Sequence, residues 1–213
     1  MERYFEKRGN YNVACYAISI NENMRSIALD FAKRIILTNN QYSRLLPIEV
    51  RNSNDVSMQQ KIEIQRTYMG KLGEIAFLKF LQENNKEVNV NGMFDVFEGQ
   101  ENVDSFDFVT ATGCSVDVKT GFRDIHKRLL VNTEQFDKNP KDFYVAVKID
   151  ALDVDPRQKL VDWDNISTAK IIGYADYTYM SKCAGIYDFG EGPARWLYYN
   201  GLMGIDRLLS MFN

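Results

Sequence analysis

The sequence predicts an α/β protein in which helices flank a mixed central β-sheet around one core. Three segments carry this prediction. Residues 106–120 form two short strand-like runs joined by a tight turn, and residues 143–149 form an apolar run typical of a buried strand. Residues 69–82 form a helix that is apolar over most of its circumference, so we expect it to lie against the sheet.

The hairpin at residues 106–120 has a register that the sequence itself defines. Gly113 supplies the positive φ that a three-residue hairpin loop centred on Thr112 requires. This centre places three pairs of residues opposite each other: Phe106 and Val118, Phe108 and Val116, and Asp107 and Asp117.

One face of this hairpin is polar. Residues two apart on a strand share a face, so Lys119 lies on the side of Asp107 and Asp117. Like charges directly opposite each other destabilise a ladder, which predicts a cation between the carboxylates. Mg²⁺ suits the site because it binds through one or two carboxylates and retains several waters. The alternative is an exposed hairpin whose polar face meets solvent.

The apolar helix contains an acidic residue, Glu74, whose burial without a partner is costly. The poor helix formers Gly70 and Gly73 precede it and would let another backbone approach closely. We interpret Glu74 as part of the polar site. A helix-packing motif with a solvated glutamate is the other interpretation.

A helix with Glu74, then Asp107 on one strand and Asp117-Val118-Lys119 on the next, resembles the PD-(D/E)XK nuclease superfamily. The resemblance implies a restriction-endonuclease-like sandwich, a mixed central sheet flanked by helices. It also implies that Asp107 and Asp117 bind Mg²⁺ and that Lys119 is the catalytic lysine. The Val118 carbonyl would be a further metal ligand, and Glu74 would contribute to the metal site, often through water.

The resemblance covers residues 68–149, and it leaves one assignment open. Phe106 stands where the name of the superfamily calls for proline, although that proline is frequently absent. Asp104 is a rival for the role given to Asp107, and the hairpin register is the reason for preferring Asp107.

Composition limits the broad class of the protein. The chain has 213 residues, of which 45% are hydrophobic, enough for one globular domain with a substantial core. No apolar run has the length of a membrane span, and the first residues lack a signal-peptide pattern. Three widely spaced cysteines and one histidine predict neither a zinc site nor a disulfide framework, so we expect a reducing, cytoplasmic location.

The charge distribution is weak evidence about a nucleic-acid partner. The net charge of −3 argues mildly against DNA. Residues 25–71, however, carry eight basic and four acidic residues, whereas residues 150–191 carry four basic and eight acidic residues. A metal-dependent nuclease also has an acidic site whose charge the metal offsets.

We predict one domain over residues 1–213, divided into three regions: a helical region 1–66, a catalytic core 67–150 and a strand and helix region 151–213. Asn21 caps a helix over residues 22–37. The other predicted elements include strands at 86–91, 93–97, 129–131 and 170–176, a strand and loop at 42–54, a turn or short helix at 133–139, and a terminal amphipathic helix at 202–212.

Basic side chains offer weaker candidates for DNA binding. Arg123, Lys127 and Arg128 follow Lys119 and would bind phosphates near the scissile bond, or form a solvated charge run. Arg195 stands in an aromatic run that would contact DNA or pack in a strand or subunit interface.

Two further residues carry open interpretations. His126 is a general base or, as we favour, lies at the solvated tip of the loop after Lys119. Gln135 either assists the site from the next element or, as we favour, occupies a surface turn.

The resemblance implies a Mg²⁺-dependent endonuclease that hydrolyses double-stranded DNA, most similar to a type II restriction enzyme. A homodimer would then match a palindromic site by symmetry. The alternatives are a structure-selective or repair nuclease of the same fold and a non-catalytic DNA-binding domain.

Overall fold

A six-stranded mixed sheet forms the centre of the protein in the computed structural model, which describes residues 1–38, 46–96, 107–155 and 159–213. In chain order, the strands of the described residues are β1 (Glu2–Arg8), β2 (Tyr11–Ser19), β3 (Phe108–Val109), β4 (Ser115–Gly121), β5 (Arg128–Asn132), β6 (Phe143–Ile149), β7 (Asp153–Asp155), β8 (Leu160–Val161), β9 (Thr168–Asp176), β10 (Gly185–Asp188) and β11 (Pro193–Tyr198).

The helices of the same ranges are α1 (Glu22–Leu37), α2 (Ile48–Arg51), α3 (Val56–Glu83), α4 (Thr133–Lys138), α5 (Tyr177–Cys183) and α6 (Ile205–Leu209), with a 3₁₀ turn at Tyr199–Gly201. The predicted mixed α/β class is therefore confirmed.

The central sheet has the order β1-β2-β9-β6-β4-β3. Strands β4 and β6 are parallel, and the other neighbours are antiparallel. Strands β10, β11 and β5 form a second, antiparallel sheet, and β7 pairs with β8. Strand β4 lies inside the sheet, between β6 and β3. Among the described residues, β3 is the edge strand on this side and has two residues.

Two buried clusters cover opposite faces of the central sheet. Val145 and Val147 of β6 belong to the cluster that includes residues of α1 and α3. Tyr144 and Ala146 belong to the cluster that includes residues of β5 and β11. Since successive strand residues point to opposite faces, the long helices lie on one side of the sheet and the three-stranded sheet lies on the other.

Local signals explain the two long helices. The side chain of Asn21 accepts a hydrogen bond from the backbone N–H of Met24, as the predicted cap requires. Asp55 caps α3 in the same way, by accepting from the backbone N–H of Met58. Helix α3 is continuous through Gly70.

Several predicted elements differ from the structure. Residues 1–66 are not a purely helical region, because β1 and β2 form a hairpin at its start. The region after Pro47 contains the short helix α2 rather than a strand. No strand occurs in the described residues between 86 and 96, and the terminal helix is confined to α6, after the 3₁₀ turn.

In the part of the chain that the structure describes, no helix has both the length and the apolar composition that crossing a membrane requires.

Candidate active site

The predicted hairpin register is present in β3 and β4. Phe108 lies opposite Val116, and Gly113 has a φ of +84° in the turn. The backbone N–H of Asp107 donates to the Val116 carbonyl at 3.0 Å. Asp107 lies directly before β3 and is not one of its paired residues, so its position opposite Asp117 stays a prediction. Phe106 and the rival Asp104 lie outside the described residues.

Asp107 is tied to the strand that carries its partner carboxylate. Its Oδ2 accepts a hydrogen bond of 2.6 Å from the backbone N–H of Val118. Burial, followed by the negative charges of Glu74 and Asp117, raises the pKa of Asp107 well above its usual value. The hydrogen bond from Val118 and the positive charge of Lys119 lower this pKa, but they offset only part of the rise.

Asp117 is 5% exposed, and its Oδ2 has no hydrogen-bond donor within the described residues. The ammonium of Lys119 lies 2.8 Å from that oxygen, but its direction of approach does not satisfy hydrogen-bond geometry. A buried carboxylate oxygen with an ion-pair contact and no hydrogen bond retains the capacity to accept one. A metal ion or a water would fill this capacity.

Gln135 joins the site. The Lys119 ammonium donates to Oε1 of Gln135 at 3.1 Å, and Gln135 lies in the first turn of α4, directly after β5. The preferred sequence interpretation, a surface turn residue without a role in the site, therefore missed this contact. Local sequence carries no signal for it, because the contact depends on how β5 and α4 return toward β4.

Glu74 has an ionic partner that the sequence analysis did not identify. Lys71, three residues earlier on α3, forms an ion pair with Glu74 and also donates to the Met93 carbonyl at 2.9 Å. The Lys71 ammonium lies 4.4 Å from the ring centre of Phe31. A lysine three residues before a glutamate in an apolar helix was the available signal.

Helix α3 approaches β4 closely at Gly73, as the glycine pattern predicted. A Cβ atom on Gly73 would lie 2.0 Å from Oγ1 of Thr120, which no packed structure tolerates without movement. This contact brings the turn of α3 that carries Glu74 against the strand that carries Asp117 and Lys119.

These residues open into one cleft of about 640 Å³. Its lining includes Glu74, Asp107, Asp117, Lys119 and Gln135. Within the described residues, eight buried side-chain polar atoms lack a hydrogen-bond partner, and four of them belong to residues that line this cleft: Thr67, Asp117, Thr120 and Arg128. Unsatisfied polar groups are costly, so their concentration indicates a site that receives a polar ligand or water.

The predicted DNA-binding residues fall into two groups. Arg123, Lys127 and Arg128 line the cleft, and Arg123 also forms an ion pair with Asp153. Arg195 is not part of the lining; its guanidinium stacks on Phe136 at 4.5 Å. Neighbouring residues of a strand point to opposite sides, so Arg195 faces away from the cleft-lining side of β11.

His126 differs from the favoured interpretation of a solvated loop tip. Its Nδ1 accepts hydrogen bonds from the backbone N–H groups of Phe122 and Arg123, at 3.1 and 3.3 Å. Burial is the main cause that lowers the pKa of His126 to about 4. A neutral imidazole that accepts two backbone hydrogen bonds organises the loop, so His126 is not placed as a general base.

Asp107 and Asp117 fit Mg²⁺ as a site with two carboxylates. Among residues 1–38, 46–96, 107–155 and 159–213, no group of three or more histidine, cysteine, aspartate or glutamate side chains has the arrangement of a metal cluster. Mg²⁺ nevertheless needs only one or two carboxylates and fills its octahedron with water. Asp107 and Asp117 meet that requirement, and Oδ2 of Asp117 has open hydrogen-bonding capacity.

The chain matches no family model, no curated protein and no solved structure.

Proposed function

We propose that the protein is a Mg²⁺-dependent endodeoxyribonuclease with a restriction-endonuclease-like fold, of the PD-(D/E)XK superfamily. One cleft that Asp107, Asp117 and Lys119 line together carries this proposal, with Asp107 hydrogen-bonded to β4 next to Asp117 and with Lys119 beside Asp117. The order of the motifs along the chain and the position of Glu74 on the adjoining helix support it.

In this proposal Asp107 and Asp117 would hold Mg²⁺ together with the Val118 carbonyl, and Glu74 would contribute through water. Mg²⁺ would polarise the phosphoryl oxygen and lower the pKa of a bound water. The Lys119 ammonium orients the attacking water and balances the negative charge that develops on the phosphate. Gln135 keeps Lys119 in position through its 3.1 Å hydrogen bond.

The reaction is a hydrolysis. The water oxygen bonds to phosphorus as the bond from phosphorus to the leaving oxygen breaks, and the proton lost by water is balanced by one gained at the leaving oxygen. Hydrogen-bonded positioning and charge stabilisation supply the acceleration, since phosphoryl transfer needs little covalent participation from the protein.

Within this activity, a type II restriction endonuclease acting as a homodimer on double-stranded DNA is our first candidate. A structure-selective or repair nuclease is the second, and the exposed aromatic side chains beside the cleft favour it. A non-catalytic DNA-binding domain of this fold would not need Glu74, Asp107, Asp117 and Lys119 together.

Incubation of the protein with supercoiled plasmid tests the proposal. We expect nicked or linear plasmid in millimolar Mg²⁺ and intact plasmid in excess chelator. Discrete fragments would support the restriction enzyme, and structure-dependent nicking would support the second candidate. Cleavage in chelator, or intact plasmid in Mg²⁺ across several plasmid sequences and branched substrates, would overturn the metal-dependent nuclease.

A further inference from the structure

Arg128, which lines the cleft, is surrounded by aromatic rings. The guanidinium carbon of Arg128 on β5 lies 4.7 Å from the ring centre of Tyr198, 5.0 Å from Trp196 and 5.5 Å from Phe189. Its Nη2 donates to the Tyr198 hydroxyl at 3.0 Å. We call these four residues the Arg128 platform.

The register of the second sheet explains how the platform forms. Arg128 pairs with Tyr198, and two residues further along β5, Leu130 pairs with Trp196. Side chains at these paired positions share one face of the sheet. Leu197, between the two aromatic residues, is buried on the opposite face. The platform is therefore the outer face of a sheet whose inner face packs on the core.

The platform remains accessible. Tyr198 is 47% exposed and Phe189 is 36% exposed, and Tyr187 extends the aromatic surface by packing against Phe189 at 4.9 Å. Several large aromatic side chains held together at the surface indicate a binding surface more often than scattered single residues do.

The charge of the platform is positive. Among the described residues, no carboxylate forms an ion pair with Arg128 or with the neighbouring Lys127. Glu191, on the adjacent turn, already forms a bidentate ion pair with Arg66 of α3. The platform thus combines an aromatic surface with a cation that has no ion-pair carboxylate within the described ranges.

The dimensions and position of the cleft restrict its ligand. Arg128, Leu130 and Phe189 line the same cleft as Asp117 and Lys119. A volume of about 640 Å³ lies in the range of pockets that enclose a small ligand, about 300–1,000 Å³. Such a space accommodates an unstacked nucleotide, whereas a paired duplex would have to lie across the mouth.

We propose that the Arg128 platform binds single-stranded DNA, by stacking unpaired bases on Phe189 and Tyr198 and by pairing Arg128 with a backbone phosphate. The inference deepens the proposed nuclease function, on which it rests for the choice of DNA, by naming a substrate with an unpaired segment beside the scissile phosphate. It thereby selects the structure-selective or repair nuclease over the restriction enzyme. Sequence-tolerant binding of single strands uses this combination of aromatic rings and positive charge.

Binding in excess chelator tests the proposal separately from cleavage. Three labelled probes of equal length are compared by fluorescence anisotropy: a thymidine single strand, an abasic single strand and a mixed-sequence duplex. We expect the thymidine strand to bind at least tenfold more tightly than the other two. The abasic strand retains the phosphates, so its weaker binding would isolate the contribution of the bases.

Variants locate the contacts. We expect Phe189→Ala and Tyr198→Ala each to weaken binding of the thymidine strand about 5- to 150-fold, and to leave binding of the abasic strand within threefold. Arg128→Ala should weaken both strands. The matched control is Tyr11→Ala, which removes a 77% exposed tyrosine at the start of β2 and should leave binding unchanged. Thermal melts establish that each variant folds.

The outcomes are separable from those of the plasmid experiment. Equal binding of the thymidine and abasic strands, tighter binding of the duplex, or an unchanged Phe189→Ala, Tyr198→Ala double variant would overturn the platform and leave the nuclease proposal standing. Platform-dependent binding of the single strand with no cleavage of any DNA in Mg²⁺ would overturn the nuclease and leave the platform.

Discussion

The ammonium of Lys119 lies 2.8 Å from Oδ2 of Asp117, two residues earlier on the same strand, without forming a hydrogen bond to it. Lys119 instead donates to Gln135, at 3.1 Å. The lysine is thus held beside the carboxylate by a neutral acceptor on another element. This arrangement leaves Asp117 with an open acceptor and Lys119 with donors that can reach a phosphate or a water.

Removal of the lysine should separate chemistry from binding. We expect Lys119→Ala to lower the rate of plasmid cleavage by about 10²–10⁴-fold, the typical contribution of an acid–base or electrostatic group. DNA affinity in chelator should stay within about tenfold. The matched control, Lys138→Ala, removes an exposed lysine of α4 that pairs with Glu134. Near-wild-type cleavage by Lys119→Ala would exclude the lysine from the mechanism.

Gln135 should act as a positioning residue. A hydrogen bond to a charged group contributes about 1.5–3 kcal/mol, and partial exposure reduces that value. We therefore expect Gln135→Ala to lower kcat about tenfold with KM nearly unchanged, measured on an oligonucleotide substrate. Glu134→Ala changes the preceding residue of the same helix and serves as the control. A change confined to KM would instead indicate that Gln135 contacts the substrate.

The contact between Gly73 and Thr120 should limit substitution in α3. Overpacking costs about 1–3 kcal/mol, more than the gain of up to about 1 kcal/mol that alanine brings to a helix. Gly73→Ala should therefore lower the free energy of unfolding, measured in urea. Thr120→Ala removes the Oγ1 atom that would lie 2.0 Å from the added Cβ of residue 73. The double variant should therefore recover most of the lost stability. Full additivity of the two changes would show that the residues do not touch.

His126 should make stability depend on pH. Its folded pKa, lowered to about 4, lies below the unfolded value of about 6.5, so the unfolded chain binds the proton first. The contribution of His126 to the free energy of unfolding is therefore complete above about pH 6.5 and decreases as the pH falls toward 4.

The comparison with His126→Asn isolates this effect, because the asparagine Oδ1 can accept the same backbone hydrogen bonds and does not titrate. We expect wild type to lose roughly 1.5 kcal/mol relative to the variant between pH 6.5 and 5, measured by urea denaturation. Parallel pH profiles of the two proteins would mean that His126 titrates equally in the folded and unfolded states.

Local patterns predicted those elements whose signals are contained in a short stretch of chain. The cap at Asn21, the strand at Phe143–Ile149 and the pairing of Phe108 with Val116 depend on neighbouring residues. The hairpin of β1 and β2 also had a local signal, Gly9-Asn10 between two runs rich in aromatic and β-branched residues.

Contacts between distant segments could not be predicted in this way. Arg128 and Tyr198 are 70 residues apart and meet only because β5 pairs with β11. The hydrogen bond from Lys119 to Gln135 likewise depends on the packing of α4. The sequence therefore placed Asp107 and Asp117 in one site through the hairpin register, but it did not predict the side chains that complete the cleft around them.

The most direct test of Asp107 as a metal ligand beside Asp117 is the thermal stability of wild type and Asp107→Asn, each in chelator and in millimolar Mg²⁺. Without metal, loss of the repulsion from Asp117 should leave the variant as stable as wild type or up to about 1 kcal/mol more stable. Asparagine Oδ1 can still accept from the backbone N–H of Val118, so the hairpin should be retained.

Mg²⁺ should raise the Tm of wild type, and this rise should be much smaller in Asp107→Asn, since a ligand stabilises the native state in proportion to its binding. The variant should also lose plasmid cleavage. No Mg²⁺-dependent rise in wild type, with or without DNA, or an equal rise together with cleavage by Asp107→Asn, would contradict the assignment of Asp107 as a metal ligand.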